Sequence, residues 1–346
     1  ADAPHTKVTQ VTEGGLTMSR LGAISGQAPK DAKTAANKRR NLMQLAEVAA
    51  ARAAPDANGT RVLLATYKAT RNRIEADHKD AIDETAGDAI NGQWTRLSDG
   101  IDIAHLGHVR GVDRWRSTPA IIVAGRPLPR PGDLERRARA IYWDDPEPIQ
   151  TLPPDADFPK ETRAIRLRDG TGRAVLAPMH PDPRCADALD QICRAELEQV
   201  VHRLRLVRRT ADDPATVYLL TEAPIDLTVD CLTTFDALVP DPLDLLLARG
   251  VFPEDWATTA AVLADRFATA NAARYWFKDN PAAKAERAAA LASLKSGDFP
   301  FTTYKGKIPA FRLYRVRPLK GYASLVWLDV ARHPDPLATF RFWLGE

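Results

Sequence analysis

The sequence has no long hydrophobic run. No window approaches the roughly 18 uninterrupted apolar residues needed to cross a bilayer, so no membrane partner is expected. It opens Ala-Asp-Ala-Pro-His, without the apolar core of a signal peptide. Cysteine is scarce: Cys185, Cys193 and Cys231 are odd in number, and no two stand in C-x-x-C spacing. That argues against a disulfide framework and a zinc ribbon, and for a reducing, cytoplasmic compartment. Charge of one sign is also missing. With 48 Lys and Arg against 45 Asp and Glu, the net charge is +3. Overall charge therefore cannot hold this chain to a polyanion, and any nucleic-acid contact must come from local basic patches. Nor is there a G-x-x-x-x-G-K-[ST], G-x-S-x-G, H-E-x-x-H or G-x-G-x-x-G signature. The first residue is Ala rather than Met, and the chain is expected to be the interior or C-terminal part of a longer product.

What is present is ordinary globular material. The 346 residues, 45% hydrophobic and 27% charged, suffice for about two domains with substantial cores. Residues 1–54 read as a lead-in segment and a helix: Thr-, Gly- and Ser-rich to about 30, with one strand at 7–11, then an Ala-rich helix over 31–54 that Pro55 and Gly59 end. Residues 55–232 alternate strands and helices. The runs 61–67, 101–106, 120–124 and 216–220 are solidly apolar, as in strands buried on both faces. Helical stretches are expected at 70–89, 132–142 and 185–209, with a hairpin at 164–167 and 174–176. This pattern predicts an α/β domain with a parallel sheet flanked by helices. Residues 240–346 differ: helical character at 242–249, 254–267 and 269–294, then β-like runs at 307–317 and 322–330 and a short helix at 338–344. Helices followed by a basic hairpin predict an α+β, winged-helix-like domain.

Two segments carry chemistry-bearing residues in a suggestive order. The first is His105-Leu-Gly-His108-Val-Arg110-Gly111-Val112-Asp113, just before the strand at 120–124. The second is Gln199-Val-Val-His202-Arg203-Leu-Arg205. Their order resembles the second RecA-like lobe of superfamily 2 helicases, of the type encoded on phages and mobile elements. Arg110-Gly111-Val112-Asp113 is similar to the core of helicase motif V. Gln199, Arg203 and Arg205 resemble motif VI, Gln-x-x-Gly-Arg-x-x-Arg, and 61–67 sits where motif IV would. His202 stands where that family has Gly, and Arg205 falls one position early, with Arg208 and Arg209 as nearby substitutes.

The resemblance implies an NTP-dependent DNA helicase or translocase, with RNA as an alternative substrate. Arg203 and Arg205 would supply arginine fingers. Arg110, Gly111, Asp113 and Gln199 would contact the nucleotide or couple it to nucleic acid. ATP and Mg²⁺ would be bound mainly by an N-terminal helicase lobe that this chain lacks, so the chain alone is not expected to hydrolyse NTP. A non-enzymatic DNA-binding replication or plasmid module, with a degenerate RecA-like lobe, is the alternative. Two plainer readings stand beside these. Arg-Gly-Val-Asp also suits an ordinary turn with Gly at positive φ and Asp as an N-cap. The arginines of 203–209 also suit a solvated helix face. On one helix Arg203 and Arg205 would point about 200° apart, so both reach one cleft only if the helix ends there.

Three other features need weighing. His105 and His108 are spaced to face opposite ways on an extended segment and make a poor metal pair. Asp144, Asp145 and Glu147 read as a solvated acidic loop. In the C-terminal part, Lys305, Lys307, Arg312, Arg315 and Arg317 lie among Phe301, Tyr304, Phe311 and Tyr314, without an acid. Basic residues beside aromatics suit phosphate contact with base stacking. Just upstream, 267–276 resembles the turn and start of a recognition helix, with Thr269 as its N-cap.

Overall fold

The computed structural model of the protein describes residues 3–13, 15–22, 29–83, 94–97, 99–296, 311–316 and 323–344. In chain order its strands and α-helices are β1 (Thr6–Glu13), α1 (Pro29–Arg52), β2 (Val62–Thr66), α2 (Lys68–Asp77), β3 (Trp94–Leu97), β4 (Ile101–His105), β5 (Ala120–Val123), α3 (Pro131–Ile141), β6 (Lys160–Arg166), β7 (Gly172–Pro178), α4 (Pro183–Asp190) and α5 (Glu196–Val201). Then follow β8 (Ala215–Leu219), β9 (Cys231–Thr234), α6 (Phe235–Leu238), α7 (Pro242–Arg249), β10 (Val251–Pro253), α8 (Trp256–Val262), α9 (Ala270–Asp279), α10 (Pro281–Ser296), β11 (Phe311–Val316), β12 (Ser324–Asp329) and α11 (Pro336–Leu344). They form two compact units, one of Ala1–Arg39 with Pro55–Leu238, the other of Arg40–Ala54 with Val239–Glu346.

The first unit is an α/β structure on a mostly parallel sheet of order β3-β4-β2-β5-β8-β1-β9, in which only β3 runs antiparallel to its neighbour. Central strands β2 (Val-Leu-Leu-Ala-Thr) and β5 (Ala-Ile-Ile-Val) are buried at every position. An apolar run without alternation is what a strand covered on both faces requires.

The N-terminal segment does more than lead in. β1 inserts between β8 and β9, parallel to both, with Val8 opposite Val217. Its buried Gln10 donates to the carbonyls of Thr221 (3.1 Å) and Ala223 (2.7 Å). The mostly polar sequence of β1, with Val8 and Val11 its only apolar residues, obscures that interior position. β6 and β7 pair as a separate antiparallel hairpin, longer than its apolar residues suggested. β3, β9 and β10 are short strands that no apolar run marks.

The helix expected over 185–209 is broken into pieces. A π-turn at Gln191–Ala195 interrupts it, α5 ends at Val201, and single 3₁₀ turns at His202–Leu204 and Leu206–Arg208 flank a left-handed Arg205 (φ 51°, ψ 48°). Apolar periodicity persists across the break because Leu197, Val200, Val201, Leu204 and Leu206 all enter the same core as Val109, Trp115 and the sheet. Periodicity reports burial, and here burial continues past the end of the α-helix.

The second unit places a three-stranded antiparallel sheet, of order β10-β12-β11, with α7–α11 and the C-terminal half of α1. Its core gathers Leu245, Leu246, Phe252, Val262, Leu263, Ala273, Val326 and Leu328. The helical stretch 269–294 is two helices. Asn280 ends α9 and Pro281 opens α10, since proline lacks the donor to continue a helix but suits its first turn. The stretch 254–267 keeps only α8, capped by Asp255 on the Thr258 amide. Among the described residues no helix is long and apolar enough to cross a membrane.

Candidate functional site

After β4 the chain leaves the carboxyl edge of the sheet and returns through residues 106–118 to the start of β5. Gly111 sits at φ 75°, as the turn reading required, but Asp113 caps no helix. Its carboxylate instead accepts from Arg205 Nη2 at 2.6 Å and Nε at 3.2 Å, and Arg116 Nη1 lies 3.7 Å away. The Arg205 hydrogen bond is the main cause that holds the Asp113 carboxyl below the usual carboxylate range, with Arg116 and Arg203 adding to it.

The left-handed turn at Arg205 decides this meeting. On an unbroken helix Arg203 and Arg205 would diverge; α5 stops at Val201, and Arg205 turns onto Asp113. A non-glycine residue in that conformation costs about 1–2 kcal/mol, and such strain gathers where function needs it. Arg203 is half-buried, and its Nε has no hydrogen-bond partner among the described residues. His202 is half-buried, and burial lowers its imidazole pKa.

Arg110 reaches a different partner, an ion pair with Glu196 at the start of α5. Glu196 is buried and also accepts from the Gly107 amide at 3.0 Å. Sequence reasoning missed it. The available signal was helical spacing, since Glu196, Gln199 and Arg203 share one face at i, i+3 and i+7. Gln199 itself is exposed. The structure thus brings Asp113 and Arg205 together, leaves Arg203 without an ion pair to a described residue, and sends Arg110 to Glu196.

Arg209 is not a substitute finger. Its side chain is 2% exposed and donates to the carbonyls of Leu204 (2.8 Å) and Thr118 (2.6 Å), with Asp213 at 3.0 Å. It fastens the broken helix to the end of the 106–118 loop. Asp102, on β4, is a second buried hub that the sequence did not reveal. It accepts from Arg96 Nε (2.6 Å), Trp115 Nε1 (2.8 Å), Thr60 Oγ1 (3.0 Å) and Arg114 Nε (3.2 Å).

The neighbouring edge of the sheet is set by Tyr67, after β2. Its hydroxyl donates to the Arg126 carbonyl (3.0 Å) and accepts from the Arg126 amide (2.9 Å). The ring lies on Gly125 (φ 108°), where a Cβ would come within 2.3 Å of the ring, so only glycine fits. His105 and His108 do not face apart: the chain turns after β4, and their rings stack at 3.9 Å. Among the described residues no three His, Cys, Asp or Glu side chains gather to hold a metal ion. Asp145 of the acidic loop pairs with Arg184 at 2.9 Å.

Of the basic residues expected in the C-terminal hairpin, Lys305, Lys307 and Arg317 lie outside the described residues. Arg312 and Arg315 are exposed on β11, but three positions apart on a strand they point to opposite faces. They do not form one patch. Thr269 does cap α9, accepting from the Ala272 amide at 3.1 Å.

Compared with protein-family models, with curated proteins and with solved structures, the chain matches none.

Proposed function

We propose that the first unit acts as the second RecA-like lobe of a superfamily 2-like helicase or translocase, contributing arginines to NTP hydrolysis completed by a first lobe. The observation that carries this reading is the pairing of Asp113 with Arg205 at a break in the helix, with Arg203 two residues before it on the same broken turn. A mostly parallel sheet with helices is compatible with it. Phosphoryl transfer needs charge neutralised on the equatorial oxygens, and a guanidinium does so with a fixed fork of donors. Arg203 and Arg205 suit phosphate oxygens in this way. Bound ATP·Mg²⁺ would bring the reacting phosphate. On this reading the chain's share is phosphate contact, and the first lobe would hold the ion.

The second unit is proposed as a winged-helix-like nucleic-acid-binding domain with DNA as its partner, working in the cytoplasm. Its support is topological. Helix α7, strand β10, helices α8, α9 and α10, then strands β11 and β12 follow one another, so α10 is an addition to the winged-helix order, and the sheet order is β10-β12-β11.

The test is Arg203→Ala in the complete enzyme. Turnover is expected to fall about 10³-fold or more, with nucleic-acid affinity little changed. Retained turnover would overturn the assignment. A binding-only module is favoured by one observation: Arg110 and Arg205 are both closed in ion pairs. On that reading neutralising Arg203 has no consequence, and only loss of surface cations weakens binding.

A further inference from the structure

The segment between β5 and β6 carries a surface that the helicase-like residues do not use. Helix α3 reads Pro-Gly-Asp-Leu-Glu-Arg-Arg-Ala-Arg-Ala-Ile and is followed by Tyr142 and Trp143. Leu134 and Ala138, four residues apart, form its buried stripe against Phe158, Cys185 and Leu189. Glu135 is buried beside them and accepts from the Leu152 amide at 2.8 Å. The rest of the helix faces outward. Arg130, Arg136, Arg137 and Arg139 are exposed, and so is Ile141.

Trp143 is 81% exposed, the highest value of any large hydrophobic side chain among the described residues. An indole left in water is a cost unless something covers it, and here its neighbours say what. Arg136 pairs with Asp133, and Arg139 lies 3.8 Å from Glu135. Arg130 and Arg137 form no ion pair with a described residue. Of the acids beyond Trp143, Asp145 pairs with Arg184, while Asp144 and Glu147 are exposed. A shallow hollow lined by Pro129, Asp133, Arg136, Arg137 and Ala140 runs along the helix.

We propose that α3 and Trp143 form a binding surface for single-stranded nucleic acid. The guanidiniums of Arg136 and Arg137 engage phosphates, and Trp143 stacks on an unpaired base. Arginines on one short helix beside an exposed aromatic are the chemistry that single strands select. A duplex offers its base faces only to neighbouring bases, so the indole discriminates against it. The surface is separate from Asp113, Arg203 and Arg205, and it adds a second nucleic-acid contact to the one assigned to the C-terminal unit.

The test measures binding of the full chain to a fluorescent oligothymidylate of about 20 nucleotides by anisotropy, across a salt series. Trp143→Ala is expected to weaken binding about 5- to 150-fold, the range for loss of one stacked base, and Trp143→Phe to restore most of it. The double variant R136Q/R137Q is expected to lower the slope of log affinity against log salt by about 1.4, two phosphates on a single strand. All three side chains project into solvent, so thermal melts should match the wild type. Wild-type affinity and slope in both variants would overturn the proposal. So would absence of salt-dependent oligonucleotide binding by the wild-type chain, which would assign the patch to a protein contact.

Discussion

Asp102 and Asp113 lie on either side of one turn, and each faces more than one arginine. Asp102 is fully buried and its partners converge from β3, from the loop before β2 and from residues 114 and 115. Asp113 is half exposed and holds Arg205, itself 44% exposed. The same residue types make a closed hub in one place and an exchangeable pair in the other. Burial makes the difference. In the interior every lone pair needs a donor, and a lost partner cannot be replaced by water. At the surface, water and a phosphate oxygen both compete for the guanidinium, so a pair can open when a better anion arrives.

That contrast can be broken by measurement. The largest effect is expected at the closed hub. Asp102→Ala strands Arg96 and the Trp115 indole N–H in the interior and should cost about 3–5 kcal/mol, measured by urea denaturation; a loss under about 1 kcal/mol would make Asp102 another exchangeable site. Arg209→Ala should follow, at about 1.5–3 kcal/mol, because buried carbonyls of Leu204 and Thr118 lose a charged donor. The smallest effect is expected at Asp113. Asp113→Asn should leave the melting midpoint at neutral pH unchanged within error, and high salt should weaken its pair while sparing Asp102.

The pH dependence of the open pair has a definite sign. Arg205 holds the Asp113 carboxyl below its ordinary range, so the pair is intact above the ordinary carboxylate pKa. It is lost only as pH falls through the depressed value. Carboxyl NMR should show Asp113 titrating at lower pH than an unpaired aspartate, and Arg205→Gln should return it toward the ordinary value. An unchanged titration in that variant would dissolve the pair as the cause.

Legibility in the sequence followed the same divide. β2 and β5 were visible because their neighbours cover both faces and demand apolar residues almost throughout, and β4 and β8 because enough apolar residues remain around Asp102 and Thr216 to mark a run. α3 was visible. β1 showed as a strand, but not its place inside the sheet, since Thr, Lys and Gln alternate along it. Arg205 and Asp113 were both recognisable, yet their pairing was not, because it depends on where α5 stops. The apolar spacing through Leu204 and Leu206 gave no sign of that stop.

The sequence by itself determined the α/β character of the first unit, the change to helices and a small sheet after it, and the presence of two arginine-bearing segments on either side of β5. Apolar periodicity and local capping are short-range properties, and they carry that much. Only the tertiary structure decided which arginine became a buried staple, which one closed on Asp113, and which indole was left in water. Those outcomes depend on what lies opposite each side chain, and the opposing groups come from distant parts of the chain.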